Sequence, residues 1–483
     1  MGTSPEHLAS HLEHPLGRGY SPADAFTGAA GGAACGDLIR VSLQIDEHDA
    51  DGRITDAGFD ADGCGATVAA GSAVVSLVRG STLLQAARIG APDIADELGG
   101  LMPAKAHAAE LAADALHRAL GAGARGGARL APSAGRTLVA MSGGVDSAMA
   151  ALLVSREGSD AVGVTLELWS DPENDGELSC CSAQAVRGAR ELAHDLGLAH
   201  FSIDLRAEFR AGVVDEWLAD HAAGLTPNPC VRCNGSVRLD AMLELADRLG
   251  SASLATGHYA RVSEGPLLRT AADVSKDQSY VLCALAPDSL ARMRFPLGEM
   301  HKPQVRDLAE RARMPVARRR DSQDLCFLAG TRQRTFLERH GDLGPRPGPI
   351  VNLAGETLGE HGGAHVYTVG QRHGLGISSS EPMYVLATDT GSNTVTVGPR
   401  GALLAGTLAV SDVLLHSESA CVDGVRVRSH GRLHPCRVDG ELQSGRHQRV
   451  AVVLQAAAER TAPGQVACLY AGDLVVGHGT IAA

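Results

Sequence analysis

Thr137–Ser147 reads TLVAMSGGVDS, and Ala148–Gly158 continues as AMAALLVSREG. An apolar run ends in a Ser-Gly-Gly turn and gives way at once to helical periodicity, which predicts a strand, a tight loop and a helix in succession. Gly143 and Gly144 let backbone N–H groups converge on an anion with no Cβ in the way, and the helix N-terminus adds a favourable dipole. Ser142 and Ser147 supply hydroxyls, and Asp146 is placed to hold a magnesium ion. No GK[ST] follows, which excludes a Walker loop.

The same alternation continues outward. DAVGVTLELW, AVRGARELAHDLG, HFSIDL and SLATGHYA add strands and helices, so the chain from residue 137 is expected to be α/β with a parallel sheet covered by helices. Ligands of such sheets bind outside the carboxyl ends of the strands, where SGGVDS and TGHY fall. Beyond Gly344, the Gly-punctuated runs AHVYTV, PMYVLATD, NTVTVG, QRVAVVLQ and DLVVGHG predict one or two small β domains. On the N-terminal side, Gly121–Arg136 is rich in Gly, Ala and Arg without apolar periodicity and is expected to be a linker. Ahead of it, VSLQIDEHDADGRITDAGFDADG predicts a hairpin and AHAAELAADALHRAL a helix, together a small α+β domain over residues 1–120.

The 483 residues, 44% hydrophobic and 20% charged, imply several folded domains. No apolar run is long enough for a bilayer, and MGTSPEHLASHLEHPLG lacks the layout of a secretory signal, so a cytoplasmic protein with no membrane partner is expected. Eleven cysteines in such a chain point to metal or redox chemistry rather than a disulfide framework. The net charge of −13 is uneven. Residues 1–120 hold 16 acidic and 7 basic side chains, whereas Arg292–Arg320 is locally basic and ends in Arg318, Arg319 and Arg320. That stretch either presents a cationic patch to nucleic acid or lines a solvated face.

Leu225–Leu239, LTPNPCVRCNGSVRL, puts two cysteines three apart behind two prolines. Pro227 and Pro229 keep the backbone extended, and Asn234 is expected to cap the helix that carries Leu239, Met242, Leu243, Leu245 and Leu249. Cys230 and Cys233 then sit at a helix N-terminus beside Arg232 and Arg238, which favours thiolates. Cys326, in RRRDSQDLCFLAG, is a third candidate. Two chemistries fit: Cys233 and Cys326 exchange sulfur through a persulfide and a disulfide, or Cys230, Cys233 and Cys326 hold a [4Fe–4S] cluster with one iron open. A structural zinc is the plain alternative.

SGGVDS resembles the PP-loop signature of adenylating ATP pyrophosphatases. In order, SGGVDS, TPNPCVRCN, ATGHYARV, SKDQSYVL, RDSQDLCF and YTVGQRHGLG resemble the tRNA 2-thiouridine synthases of the MnmA/TrmU type over about residues 137–483. The resemblance implies a PP-loop domain at 137–290, a basic helical tRNA-binding segment at 291–345, a central β domain at 346–408 and a C-terminal β-barrel at 409–483. It implies ATP-dependent replacement of the C2 oxygen of the wobble uridine, U34, by sulfur. The expected tRNAs are of the lysine, glutamate and glutamine type, and a cysteine desulfurase or sulfur-relay protein is the expected donor. ATP, with Mg2+, is expected on Ala140, Met141, Ser142, Gly143, Gly144, Val145, Asp146, Ser147, Leu166 and Gly257. Cys233 is the expected nucleophile and Cys326 the persulfide carrier. Asn228, Pro229 and Cys230 are expected to line the target-base pocket, and His258, Lys276, Asp277, Gln278, Arg428 and Gln465 to touch tRNA. Where the family commonly has Asp, this chain has Cys230, which strengthens the cluster alternative. RSHG, Arg428–Gly431, stands where the family has an RYRQ-like contact, so only Arg428 carries over.

The front part resembles IscU/NifU iron–sulfur scaffold proteins through ACGDLIRVSLQID, DGCGATVAAGSAVVSLVRG and MPAKAHAAELAADAL. The resemblance implies Cys35, Asp37, Cys64 and His107 as ligands of zinc or of an incomplete cluster. The scaffold's third cysteine is replaced by Ala108, so the domain is expected to be a degenerate docking or regulatory module, a metal site or an active sulfur or cluster donor. Cys180 and Cys181 are expected to be packing residues or a sulfur relay. Cys283, Cys421, Cys436 and Cys468 are expected to be small buried hydrophobes, and His361 and His365 loop residues.

Overall fold

Antiparallel pairing of Phe26–Gly31 (β1), Leu38–Ile45 (β2) and Ile54–Asp62 (β3) builds the front sheet, in that order. Ile39, Val41, Leu43 and Ile45 alternate inward along β2, as a strand with one covered face requires. Helices Gly65–Val78 and Ala106–Gly126 pack against this sheet. The computed structural model describes residues 5–31, 36–171, 182–319, 321, 325–328 and 330–483. Cys35, Cys180, Cys181 and Arg320 lie outside the described residues.

The second sheet is the expected parallel one. Its strands are Ser133–Ala140 (β4), Asp160–Glu167 (β5), Ala199–Asp204 (β6), Ser251–Ala255 (β7) and the short Met293–Arg294, arranged Met293–Arg294, β7, β4, β5, β6. From Ala161 onward β5 is buried without alternation, as befits an interior strand covered on both faces. Since β6 is an edge, its outward backbone groups need partners from elsewhere.

Those partners come from the front domain, and here the linker expectation fails. Residues to Gly126 belong to the helix Ala106–Gly126, and Gly121, Gly123, Ala124, Ala128 and Leu130 are buried. The strand that follows, β4, begins at Ser133. Three residues one helical turn apart meet the edge of β6. His117 Nδ1 lies 3.0 Å from the carbonyl oxygen of His200, and Arg125 Nη1 donates to that of Asp204 at 2.6 Å. Between them Gly121 approaches so closely that a Cβ would fall 2.0 Å from the Ser202 oxygen. The N–H of His200 donates to Ala87 O, also in the front domain, at 2.9 Å. Small residues that looked like linker composition are what let the helix sit down on the strand. One continuous apolar cluster accordingly runs from Ile39 and Leu116 through Val164 and Phe201 to Leu243.

The tail holds two β units. Gly348–Val351, Thr357–His361, Met383–Asp389 and Thr394–Pro399 form a four-stranded sheet. AHVYTV is not a strand: Gly363, with φ 149°, turns the chain and Ala364–Val366 forms a 3-10 turn. Strands Leu404–Leu415, Gly445–Glu459, His434–Val438, Gly424–Arg426, Val466–Ala471 and Leu474–Ile481 pair in that order, and the first also pairs with the last, closing a barrel. Cys283, Cys436 and Cys468 are buried as expected, whereas Cys421 is exposed.

Gly121→Val is expected to lower stability by about 2–3 kcal/mol through overpacking against β6. Gly188→Ala, on an exposed helical face with open space around its Cα, is expected to raise it by about 0.5–1 kcal/mol. Denaturant midpoints of the two variants check both signs.

Candidate functional site

Loop Met141–Gly144 leaves β4 at its carboxyl end and opens the helix Val145–Arg156. Gly143 adopts φ 70°, a left-handed turn open to glycine. Thr165 on β5 donates its hydroxyl to Met141 O at 2.9 Å, which fixes the start of the loop. Buried Ser147 spends its hydroxyl inside the loop: it donates to Gly144 O at 3.1 Å and accepts from Ser142 N at 3.1 Å. Its hydroxyl, expected to face phosphate, instead shapes the turn, and the hydroxyl of exposed Ser142 donates to it at 3.3 Å. Gly257 packs against the Asp146–Ser147 peptide, and Leu166 is buried on β5 beside the loop strand.

Asp146 has partners that sequence reading missed. Lys302 Nζ lies 2.7 and 2.8 Å from its two oxygens, and the Tyr259 hydroxyl donates to it at 3.0 Å. Lys302 also lies 2.9 Å from Asp321, which Lys276 and Arg306 reach at 2.8 Å each. Burial would raise the Asp321 pKa, but hydrogen bonds from Lys276 and Lys302 outweigh it and hold the carboxyl at about 2. Arg319 donates to Gly143 O at 3.1 Å. Lys302 and Tyr259 take three of the roughly four lone-pair positions of Asp146, which leaves one that would hold a magnesium ion beside the Lys302 ammonium. No local motif marks Lys302, because its carboxylate partners are 156 and 19 positions away in the chain.

The cysteine segment differs from expectation in two ways. Asn228, not Asn234, caps the helix: its Oδ1 accepts from Cys230 N at 3.1 Å, and Pro229 takes the first helical position. Asn234 is buried one turn later and donates to Val281 O. Cys233–Arg238 forms a π segment before the helix Leu239–Arg248, an irregularity often found at functional sites. Burial pushes the Cys230 thiol up despite Arg238, against the expected preference for a thiolate. Arg232 is turned away, 2.8 Å from Glu216. Cys233 is buried in the main apolar cluster, and half-buried Cys326 packs against the same cluster. Next to Cys326, Phe327 inserts among Trp169, Phe209, Trp217 and Phe336, using both tryptophans of the chain.

The barrel braces this segment. Pro463 O accepts from Thr226 N at 2.8 Å, Gln465 Nε2 donates to Thr226 O at 2.6 Å, and the Tyr280 hydroxyl donates to Val466 O at 2.9 Å. Of the residues expected to touch tRNA, Asp277 is buried and accepts from Ala271 N, the N–H and hydroxyl of Ser279, and Arg426, so its side chain locks the barrel to the catalytic domain. Gln278 accepts from Tyr259 N, and Lys276 is held by Asp321. His258 is bonded to Thr256, and burial with Arg238 nearby pushes its pKa down to about 3. The basic stretch is also largely spent: Arg292, Arg294, Arg306 and Arg318 pair with Asp247, Glu157, Asp321 and Glu310. A more open cationic surface lies in the barrel, where Arg400, Arg428, Arg432 and His434 line a groove of about 640 Å3 together with Glu459.

In the front domain, Asp37, Cys64 and His107 bring donor atoms within 4.8 Å of one another, the one such group of three among the described residues. Cys64 caps Gly65–Val78, and Thr67 donates to Asp37 at 2.5 Å. Burial alone would raise the Cys64 thiol, but N–H and hydroxyl groups of Thr67 and the N–H of Ala66 bring it below its ordinary value. His107 Nε2 is buried without a hydrogen-bond partner. A sulfur, a nitrogen and an oxygen at this spacing fit a single zinc ion. With one thiol among the described residues, they do not fit a four-thiolate cluster. Cys230, Cys233 and Cys326 form no comparable group within 4.8 Å, which argues against one tetrahedral ion held by all three.

Residues 135–330 match the family of the tRNA methyl transferase HUP domain, 334–399 its PRC-barrel domain, 410–481 the aminomethyltransferase beta-barrel domain and 5–124 the NifU-like N terminal domain. The chain is 42% identical over 490 residues to a bifunctional protein NifU/MnmA of Rubrobacter xylanophilus, covering 98% of each. The chain belongs to the bifunctional NifU/MnmA family. It is also 43% identical over 354 residues to a tRNA-specific 2-thiouridylase MnmA of Thermobifida fusca, covering 72% of this chain and 95% of that one. A Frankia casuarinae protein of the same description is 42% identical over 353 residues. The NifU-like match extends past residue 120 into the helix that meets β6. Among the described residues no helix is long and apolar enough to cross a membrane.

Two expectations follow for this family member. Iodoacetamide at pH 7–8 should label Cys64 well before Cys230, and added zinc should protect Cys64 but not Cys230; peptide mass spectrometry reads both. Burial pushes His221 and His478 down to about 4, so the folded state refuses protons that the unfolded chain binds below about pH 6.5. Their contribution is whole above that pH and lost as pH falls through 4, so denaturant midpoints should decline steadily from pH 7 to pH 4.

Proposed function

We propose that the chain is an ATP-dependent tRNA sulfurtransferase that makes 2-thiouridine at the wobble uridine, U34, of lysine-, glutamate- and glutamine-type tRNA. The supporting observation is the joining of a phosphate loop and the NPCVRC helix in one domain of a NifU/MnmA family member. ATP is the substrate seated on Ala140–Ser147 with Leu166 and Gly257. The uridine C2 oxygen attacks the α-phosphorus, the bond to the β-phosphate breaks, and pyrophosphate leaves. An amide-like oxygen, otherwise a poor leaving group, becomes part of AMP.

Sulfur then arrives from a persulfide on Cys326. Its terminal sulfur attacks C2, and AMP departs with the original oxygen. The Cys233 thiolate attacks Cys326 Sγ, the S–S bond breaks, and its electron pair stays on the sulfur at C2. The Cys233–Cys326 disulfide left behind is reduced by an external dithiol, and a cysteine desulfurase or sulfur-relay protein recharges Cys326. Water would hydrolyse the adenylated base, so burial of Cys233 and Asn234 and the flipping of the base into a pocket by Asn228–Cys230 serve the chemistry. Magnesium, held by Asp146, would screen the phosphate charge. The Arg428 groove, His258 and Gln465 are proposed to face the tRNA, its backbone meeting the arginines. The front domain, with Ala108 in place of the third scaffold cysteine, is proposed to be a docked module with a zinc-type site.

Unmodified tRNA incubated with ATP, cysteine and a cysteine desulfurase should acquire 2-thiouridine at position 34, read by nucleoside mass spectrometry. Cys233→Ala and Cys326→Ala should abolish it. Thiolation elsewhere in the tRNA, or survival in either variant, would sink this reading. Anaerobic protein with about four irons and sulfides per chain, lost in Cys230→Ala, would replace the persulfide route by a cluster at the three cysteines.

A further inference from the structure

One peptide of the phosphate loop is held from both sides. The Met141 carbonyl accepts from the Thr165 hydroxyl at 2.9 Å, and the Ser142 N–H donates to Ser147 Oγ at 3.1 Å. Ser147 in turn donates at 3.1 Å to the carbonyl oxygen of Gly144, the N-cap of the helix. On its far side Thr165 Oγ1 lies 2.8 Å from Nε2 of fully buried His200 on β6. A hydroxyl has one hydrogen, and Thr165 gives it to Met141, so it accepts the second contact and His200 Nε2 carries the proton. His200 Nδ1 is then a bare lone pair, which agrees with its burial without a hydrogen-bond partner. Burial, with His117, Arg190 and His194 close by, pushes the His200 pKa well down, so the ring is neutral and keeps this tautomer. Gly163 makes the space: a Cβ there would fall 2.9 Å from Met141 Sδ and 3.2 Å from His200 Cδ2.

Donors and acceptors thus run in one direction from His200 through Thr165, the Met141–Ser142 peptide and Ser147 to Gly144, and bonds aligned in this way strengthen one another. The chain of bonds starts on the edge strand, at the residue that the front domain grips. There the His200 N–H donates to Ala87 O at 2.9 Å, and the His200 carbonyl oxygen lies 3.0 Å from His117 Nδ1. We infer that His200 is a positioning residue for the nucleotide, heading the bonds that aim the loop's N–H groups, and that the docked front domain braces the nucleotide site by fixing His200. The front domain then acts on the ATP site through packing, with no transfer of sulfur or metal required. This inference rests on the reading of Ala140–Ser147 as an ATP site.

The test uses the full chain and measures Mg–ATP affinity by calorimetry, tRNA affinity by filter binding and the unfolding midpoint. Thr165→Val keeps the branched shape and loses the hydroxyl; it should weaken ATP binding by about tenfold, the scale of one lost hydrogen bond, and leave tRNA affinity unchanged. His200→Phe should do the same, and the double variant should bind ATP no worse than either single one, because both cut the same run of bonds. Thr165→Ser and His200→Gln, which keep the donors, should recover most of the affinity. His117→Leu leaves the run intact and loosens its anchor, so ATP binding should weaken by a smaller factor. A lower unfolding midpoint with ATP affinity unchanged would make Thr165 and His200 merely structural and overturn the inference, as would additive losses in the double variant. Unchanged ATP affinity in His117→Leu would overturn the front domain's share in it. If His200→Phe fails to fold, Thr165→Val against Thr165→Ser still decides. Failure of the unaltered protein to bind ATP would instead refute the functional reading.

Discussion

Docking of the helix Ala106–Gly126 on the edge strand β6 is the contact on which the arrangement of the front half depends. An uncovered parallel edge presents a row of unpaired backbone groups and invites association with other chains. Here His117, Gly121 and Arg125 meet the outward carbonyls, Ala87 takes the N–H of His200, and Arg118 reaches Glu167 on β5 and Ala29 on β1. Two carbonyl oxygens face the ring of fully buried His117, those of His200 and Ile89. Asp114 on the same helix pairs with Arg187 and Arg190 on the helix that covers the sheet. The front domain is thus part of the catalytic domain's packing, and the two share a core.

Much of this was legible in residues whose periodicity speaks locally. The strands from TLVAM to SLATGHYA and the β2–β3 hairpin follow from alternation and from apolar runs bounded by turns. The segment Gly121–Arg136 was misread because small residues signal flexibility when they face solvent and close approach when they face a backbone, and composition does not tell the two apart. The cap was assigned to Asn234 rather than Asn228 because both precede apolar periodicity; Pro229, favoured at the first helical position, decides for Asn228. For Cys230 the helix dipole and Arg238 pointed to a thiolate, but desolvation is the larger effect, and burial is a tertiary property.

Charge shows the same division between local and distant information. The run from Arg292 to Arg320 looked like a nucleic-acid surface, yet most of its described arginines that make contacts do so with carboxylates or carbonyls of the chain itself. A charge count weighs each side chain as free, whereas folding spends it on whichever partner is nearest. Asp277 is the clearest case: an acid in a polar SKDQS motif becomes a fully engaged buried carboxylate that ties Arg426 of the barrel to the catalytic domain. At the barrel groove Arg400 is likewise paired, with Glu459, whereas Arg428 and Arg432 pair with no carboxylate among the described residues.

Rigid docking also limits how the front site can serve the rear one. A scaffold on a flexible tether could swing its cysteines toward an acceptor and visit it repeatedly. Here His107 stands in the first turn of the very helix whose later turns grip β6, and the chain passes from that helix into β4 with Leu130 N bonded to Arg248 O and Ser133 N to Gly250 O. The position of Cys64 relative to the loop at Gly143 is therefore set by a helix and a sheet, both of which resist bending at thermal energies. Rotation of one domain on the other would break the edge contacts of β6 and expose Leu116, Leu120 and Phe201. Anything exchanged between the two sites must move through groups on the surface between them or on a separate carrier, because the fold leaves no hinge at the place where the composition suggested one.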